Sequence, residues 1–155
     1  MKRDIHLQPL SRQHHNGLLA ALLIGKKLKK EVDLQVIAAF IIHLWNTELK
    51  AHFIQEEQVL IPALASTSLD PSLTQRLLHE HSLLRLFIDT LKTGACTKED
   101  IASFATLLEQ HIRFEERIYF PEAEKVLSPE ALDQIGQHLT DEDDNCMNYP
   151  IKFWE

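Results

Sequence analysis

Histidine and glutamate residues repeat with the same spacing at two places in the chain. His52 is followed four residues later by Glu56, and His111 is followed in the same way by Glu115. On a helix this spacing puts an imidazole and a carboxylate on one face, with Cβ atoms about 5–6 Å apart. Both groups donate electron pairs to transition metals. Each of the two segments therefore offers one pair of candidate metal ligands.

The helical faces that carry these pairs are apolar. Residues at helical spacing around His52 and His111 include Trp45, Leu49, Val59, Phe104, Leu107, Leu108, Phe114 and Ile118. We therefore expect both pairs to point into a core. A buried carboxylate is costly unless a cation or hydrogen bonds compensate it, and a bound metal ion would supply that compensation.

Four long segments with helical periodicity position these residues. We predict helices over about residues 11–30, 34–61 and 71–94, and a fourth that starts at Thr97 and reaches Pro121. Ser128 and Pro129 open a shorter helix, followed by a tail. The prediction is an all-α protein of one domain, residues 1–155. Its up-down-up-down four-helix bundle spans about 9–125, and the C-terminal helix and tail span 128–155.

The first and third helices should each contribute a histidine to the same core. We predict His15 from the first helix, because Leu18, Leu19 and Leu22 lie beside it, with His14 as the alternative. From the third helix we predict His81, whose neighbours are also apolar. Four imidazoles and two carboxylates would then meet in one layer. Such a layer suits two metal ions that share carboxylates; iron is favoured, with zinc or manganese as substitutes.

The positions of the loops agree with this layer. Ligands at one height in an antiparallel bundle must be equally far from the loop that joins their helices. The three midpoints between successive histidines fall at Asp33, at Ser66 to Thr67, and at Cys96. All three positions are independently predicted loops.

The combined motif resembles the hemerythrin-like HHE cation-binding domain family, over about residues 9–125. The strings that carry the resemblance are HFIQEEQVLIP from His52 and HIRFEERIYFP from His111, together with His15 and His81. The resemblance implies a four-helix bundle with a non-haem di-iron centre. Glu56 and Glu115 would bridge the two irons, and the histidines would be terminal ligands.

Two positions depart from the pattern of the oxygen-carrying hemerythrins. A fifth histidine stands in those proteins one turn before the third-helix ligand, where this chain has Leu77. Their aspartate lies five residues after the last histidine, which corresponds here to Glu116. We choose Glu115 as the bridging residue because it mirrors Glu56, with Glu116 as the alternative. The missing ligand would leave one iron more open to small molecules.

Composition excludes several classes of function. A formal net charge of -7 argues against sequence-independent binding to the phosphates of nucleic acid. No apolar run is long enough to cross a bilayer, and the first residues lack the apolar stretch of a signal peptide. We therefore expect a cytoplasmic protein. Its expected partners are a small diatomic ligand or iron, with a protein partner or a second copy as further candidates.

Three functions fit these residues. The leading hypothesis is a di-iron module that binds or senses oxygen, nitric oxide or iron, and that is not an enzyme. The alternative is a di-iron redox enzyme or a factor that repairs iron-sulfur centres. The third is a metal-free bundle that acts through protein contacts.

Overall fold

The computed structural model describes residues 2–139, and these form five helices. They are α1 (Gln8–Lys27), α2 (34–64), α3 (Pro71–Lys92), α4 (98–126) and α5 (Pro129–His138). The predicted all-α bundle is confirmed, and the described residues contain no strand. The predicted tail lies outside the described residues. No helix in residues 2–139 combines the length and apolar character needed to cross a membrane.

Side-chain caps fix where the helices begin. Asp33 and Asp70 accept hydrogen bonds from backbone N–H groups two residues later, at 2.9 and 3.0 Å. Thr97 and Asp100 form a reciprocal capping box at the start of α4. The Ser128 hydroxyl accepts from the N–H of Ala131 at the start of α5. These caps confirm the predicted starts of α2, α3, α4 and α5, whereas α1 has no side-chain cap and begins at Gln8, three residues before its predicted start.

Both long helices contain π turns beside the repeated motif. The α2 helix widens at Trp45–Leu49 and Glu56–Leu60, and α4 widens at Glu115–Tyr119. Each π turn adds one residue to a turn, so the buried face moves on by one position. The prediction that Ile118 lies in the core is therefore wrong: it is 42% exposed, and Tyr119 is fully buried instead.

The apolar core is divided into two clusters. One includes Ile24, Phe40 and Phe104. The other includes Leu10, Tyr119 and Phe120, and it also takes in apolar residues of α5. The buried histidines and glutamates belong to neither cluster. The buried polar side chains thus form a layer between the two apolar clusters.

The buried side of α1 carries Leu10 and Ile24 with several small residues between them. Gly17, Ala20 and Ala21 are buried, whereas Leu22 is 50% exposed. A Cβ atom on Gly17 would lie 3.0 Å from Cδ1 of Ile112 on α4, so the Ile112 side chain fills the space beside Gly17. The leucine-rich side predicted to face the core is therefore not the buried side of α1.

This close approach makes a prediction about two glycines of α1. Replacing Gly25 by alanine meets open space and should raise the free energy of unfolding by about 0.5–1 kcal/mol, the helix-propensity gain. The free energy of unfolding of Gly17→Ala should be about 1–2 kcal/mol lower than that of Gly25→Ala, because the added methyl group crowds Ile112. Urea denaturation of both variants measures the difference. Equal stabilities of the two variants would show that the Ile112 side chain can move aside without cost.

Candidate metal centre

Six titratable side chains are buried together in the layer between the two apolar clusters. None of them is more than 5% exposed. They are His14, His52, Glu56, His81, His111 and Glu115. The four bundle helices all contribute, since α1 and α3 each supply one histidine and α2 and α4 each supply a histidine and a glutamate.

Five of the six predicted site residues meet in this layer, and His15 does not. The prediction that His15 faces the core is wrong: it is exposed, and His14 takes the buried position. The error came from α1, where the leucines around His15 suggested a core face. Since small residues make the close contact with α4, the histidine next to Gly17 and Ala21 is the one that points inward.

The six side chains divide into two groups that share both carboxylates. One group contains His14, His52, Glu56 and Glu115, and the other contains His81 and His111 with the same two glutamates. Within each group the ligand atoms lie within 4.8 Å of one another. This is the arrangement that two neighbouring cations with shared carboxylate ligands require.

The distances between donor atoms fit a small cation. Nε2 of His52 lies 3.4 Å from Glu56 Oε1, and Nε2 of His81 lies 3.2 Å from the same oxygen. Nε2 of His14 lies 3.5 Å from Glu115 Oε2, and Nε2 of His111 contacts Glu115 Oε1. Two donors bound at about 2.1 Å to one ion lie about 3.0–3.4 Å apart at octahedral or tetrahedral angles.

Several of the buried donor atoms have no hydrogen-bond partner. Both carboxylate oxygens of Glu56 and of Glu115, and Nε2 of His81 and His111, are buried without one. Buried carboxylate oxygens without hydrogen bonds are strongly unfavourable unless a cation lies beside them. The donor set therefore fits a bound metal, which would satisfy these atoms.

Each histidine presents Nε2 to the layer and donates Nδ1–H outward. The acceptors are Glu116 for His14 (2.6 Å), Gln13 for His52 (2.6 Å), Glu57 for His81 (2.6 Å) and Glu80 for His111 (2.8 Å). Such bonds fix the tautomer and hold each ring so that the Nε2 lone pair faces the layer. Aromatic stacking restrains two of the rings further, with Phe53 on His81 and Phe120 on His14.

The protonation states suit metal binding. Burial lowers the pKa of His52 and of His111, although Glu56 and Glu80 act in the opposite direction. Both imidazoles therefore favour the neutral form, which is the form that binds metals. Burial tends to raise the pKa of Glu116, but its hydrogen bond with His14 and the charge of Arg3 outweigh burial and lower it to about 2. Glu116 is thus an ionised acceptor at neutral pH.

The structure distinguishes Glu115 from its alternative, Glu116. Glu115 is fully buried in the layer, whereas the Glu116 side chain is 30% exposed and binds Nδ1 of His14 from outside. Leu77, at the place of the fifth histidine, is fully buried in the second apolar cluster. That position therefore offers no ligand.

Sequence reasoning missed Gln13 and Glu80 as acceptors. Each stands one residue before the buried histidine of its own helix and accepts from the histidine of the next helix. A step of one residue turns a helix by about 100°, which directs these side chains toward the neighbouring histidine. A polar residue directly before the core histidine of α1 and of α3 was the available signal.

A small cavity adjoins one side of the layer. Its volume is about 10 Å³, close to the space that one water molecule needs. His14, His52 and His111 line it together with Gly17 and Leu49, among others. The cavity therefore offers room for a molecule of two or three atoms next to the candidate ligands.

Comparison with protein-family models identifies a family for most of the chain. The model of the hemerythrin HHE cation binding domain matches residues 8–123, which include all six buried ligand candidates. Searches of curated proteins and of solved structures found no match.

Proposed function

Since this chain belongs to the hemerythrin HHE cation-binding domain family, we propose that it binds two iron ions in the buried layer and takes up a small ligand beside them. His14, His52, His81 and His111 would be terminal ligands, and Glu56 and Glu115 would each touch both ions. The observation that carries this proposal is the sharing of two buried, unpartnered carboxylates by two histidine pairs. Predominantly imidazole and carboxylate donors favour iron, with zinc or manganese as substitutes.

The bound iron would supply reversible binding of a diatomic molecule. The chain would hold the four imidazoles in one tautomer, keep bulk water out of the layer and leave the small cavity as the ligand's place. Leu77 supplies no ligand, so the six side chains would leave room around the two ions for a small ligand. The cavity has room for about one water-sized molecule, which favours a small ligand such as oxygen or nitric oxide.

Ligand titration of the iron-loaded protein tests this function. We expect the anaerobically reduced protein to bind nitric oxide, and in a separate experiment oxygen, in one stoichiometric step. Visible absorption measures the binding. Little turnover should occur when a reductant is added. Continuous consumption of oxygen or peroxide with a reductant would contradict a binding role and favour a redox enzyme.

The choice between the two adjacent histidines of α1 gives a direct prediction. Replacing His14 by alanine should lower the affinity of the position formed by His14 and His52 for its metal ion by about 100-fold or more, since this position loses one of its imidazoles. His15→Ala should leave metal content unchanged, because His15 is exposed. Elemental analysis after desalting measures both variants. Loss of metal in His15→Ala with retention in His14→Ala would reverse the assignment.

A further inference from the structure

The candidate metal centre has an internal repeat that includes its outer hydrogen bonds. The long helices α2 and α4 correspond at an offset of 59 residues, and the short helices α1 and α3 correspond at an offset of 67. The first offset relates His52 and Glu56 to His111 and Glu115. The second relates His14 to His81. The two groups of ligand candidates are therefore equivalent in residue type.

The outer acceptors follow the same two offsets. Glu57 and Glu116 correspond, and each accepts from the short-helix histidine of the other half of the bundle. Each of them pairs with an arginine, Glu57 with Arg85 at 2.9 Å and Glu116 with Arg3 at 3.1 Å. Glu57 and Glu116 therefore place the same kind of acceptor, a carboxylate paired with an arginine, behind one histidine of each ligand group.

The second pair of outer acceptors breaks the repeat. Gln13 accepts from His52, and the corresponding residue, Glu80, accepts from His111. A neutral amide thus stands behind one imidazole where an ionised carboxylate stands behind the other. Glu80 is 8% exposed, so its charge acts through a medium of low polarity. Arg76 lies 3.2 Å from Glu80, but its side chain is 48% exposed, and solvent screens its charge.

An acceptor's charge changes how strongly the histidine binds a metal. A carboxylate that accepts Nδ1–H raises the basicity of the imidazole, and the change of such a partner alters metal affinity by about 10–100-fold. The His81–His111 group has carboxylates behind both of its imidazoles. The His14–His52 group has one carboxylate and one amide.

We propose that the two metal positions are unequal, and that a divalent metal ion fills the His81–His111 position first and leaves it last. This inference rests on the proposed function, because it needs both positions to bind metal. Both histidines of the weaker position, His14 and His52, line the cavity together with His111 of the other position, so the exchangeable ion would lie beside the small-molecule space. A half-loaded state with one ion per chain is therefore a stable form of the protein.

Titration of the metal-free protein with Co²⁺ under anaerobic conditions tests the order of filling. We expect two binding steps in calorimetry and in the visible absorption, separated by about 10-fold or more in affinity. Crystals grown with one equivalent of Co²⁺ should show anomalous scattering between His81 and His111. A first ion between His14 and His52, or equal occupancy of both positions, would overturn the proposal.

Exchange of the two acceptors provides the matched variants. Glu80→Gln should weaken the tighter step by about 10–100-fold, and Gln13→Glu should strengthen the weaker step, so each variant brings the two steps together. Glu109→Gln removes the same charge from α4 at a site bonded to Arg113, and it should leave both binding steps unchanged.

Should Glu80→Gln not fold, Gln13→Glu alone tests the role of the acceptors. Two unaltered steps in Gln13→Glu would refute the role of the acceptors. Absence of any Co²⁺ binding in the unmodified protein would instead refute the proposed function, and this inference with it.

Discussion

Joint replacement of His52 and His111 by alanine is expected to abolish metal binding at both positions. One imidazole is lost from each ligand group, and each loss costs roughly 3 kcal/mol, a quarter of the binding free energy typical of a four-ligand site. That cost corresponds to roughly a 100-fold or greater loss of affinity at each position. Elemental analysis of the variant after reconstitution with Fe²⁺ and desalting should find almost no metal.

The control for this double variant removes two exposed imidazoles. His15 and His79 lie on the outer sides of α1 and α3, so His15→Ala with His79→Ala should keep the full metal content. Far-UV circular dichroism of both proteins checks that the helices remain. Two ions per chain in the His52/His111 variant would contradict the assignment of the buried layer as the metal centre.

Metal loading should raise the thermal stability of the protein strongly. Ligand binding to the folded state alone adds about 4 kcal/mol when the free metal is 1,000 times its dissociation constant. For a chain of this size that gain corresponds to a rise of about 8–16 °C in Tm. Calorimetric scans with metal and with excess chelator measure the difference.

The same scans separate a bound metal from a general effect of cations. The His15/His79 control should show the full rise in Tm, whereas the His52/His111 variant should show almost none. The chelated form of each protein sets the baseline, since empty ligands add no metal-binding free energy to folding. An equal rise in all proteins would mean that the cations act outside the buried layer.

The repeated His-x-x-x-Glu motif could be read from the sequence because helix geometry is local. The positions of His52, Glu56, His111 and Glu115 follow from a spacing of four residues on an apolar face, and the structure buries all four. His81 followed from the leucines around it. The predicted helix starts depended on local caps such as Thr97 with Asp100, which are equally local.

The parts that the sequence did not predict depend on contacts between helices. His14 is buried on the side of α1 where Gly17 packs against the Ile112 side chain of α4, and nothing within α1 shows that contact. The phase change that exposes Ile118 comes from a π turn, which apolar periodicity at 3.6 residues does not include. The roles of Gln13 and Glu80 depend on which imidazole of a neighbouring helix each one meets.

The central claim is that this buried layer holds two iron ions that share two carboxylates. Its most direct test is the metal-to-protein ratio after anaerobic reconstitution with Fe²⁺ and desalting, together with the visible spectrum before and after oxygen is added. We predict about two irons per chain and an absorption band that develops when oxygen is added. Absence of stoichiometric metal would contradict the claim, and the histidines would then be core residues of a metal-free bundle.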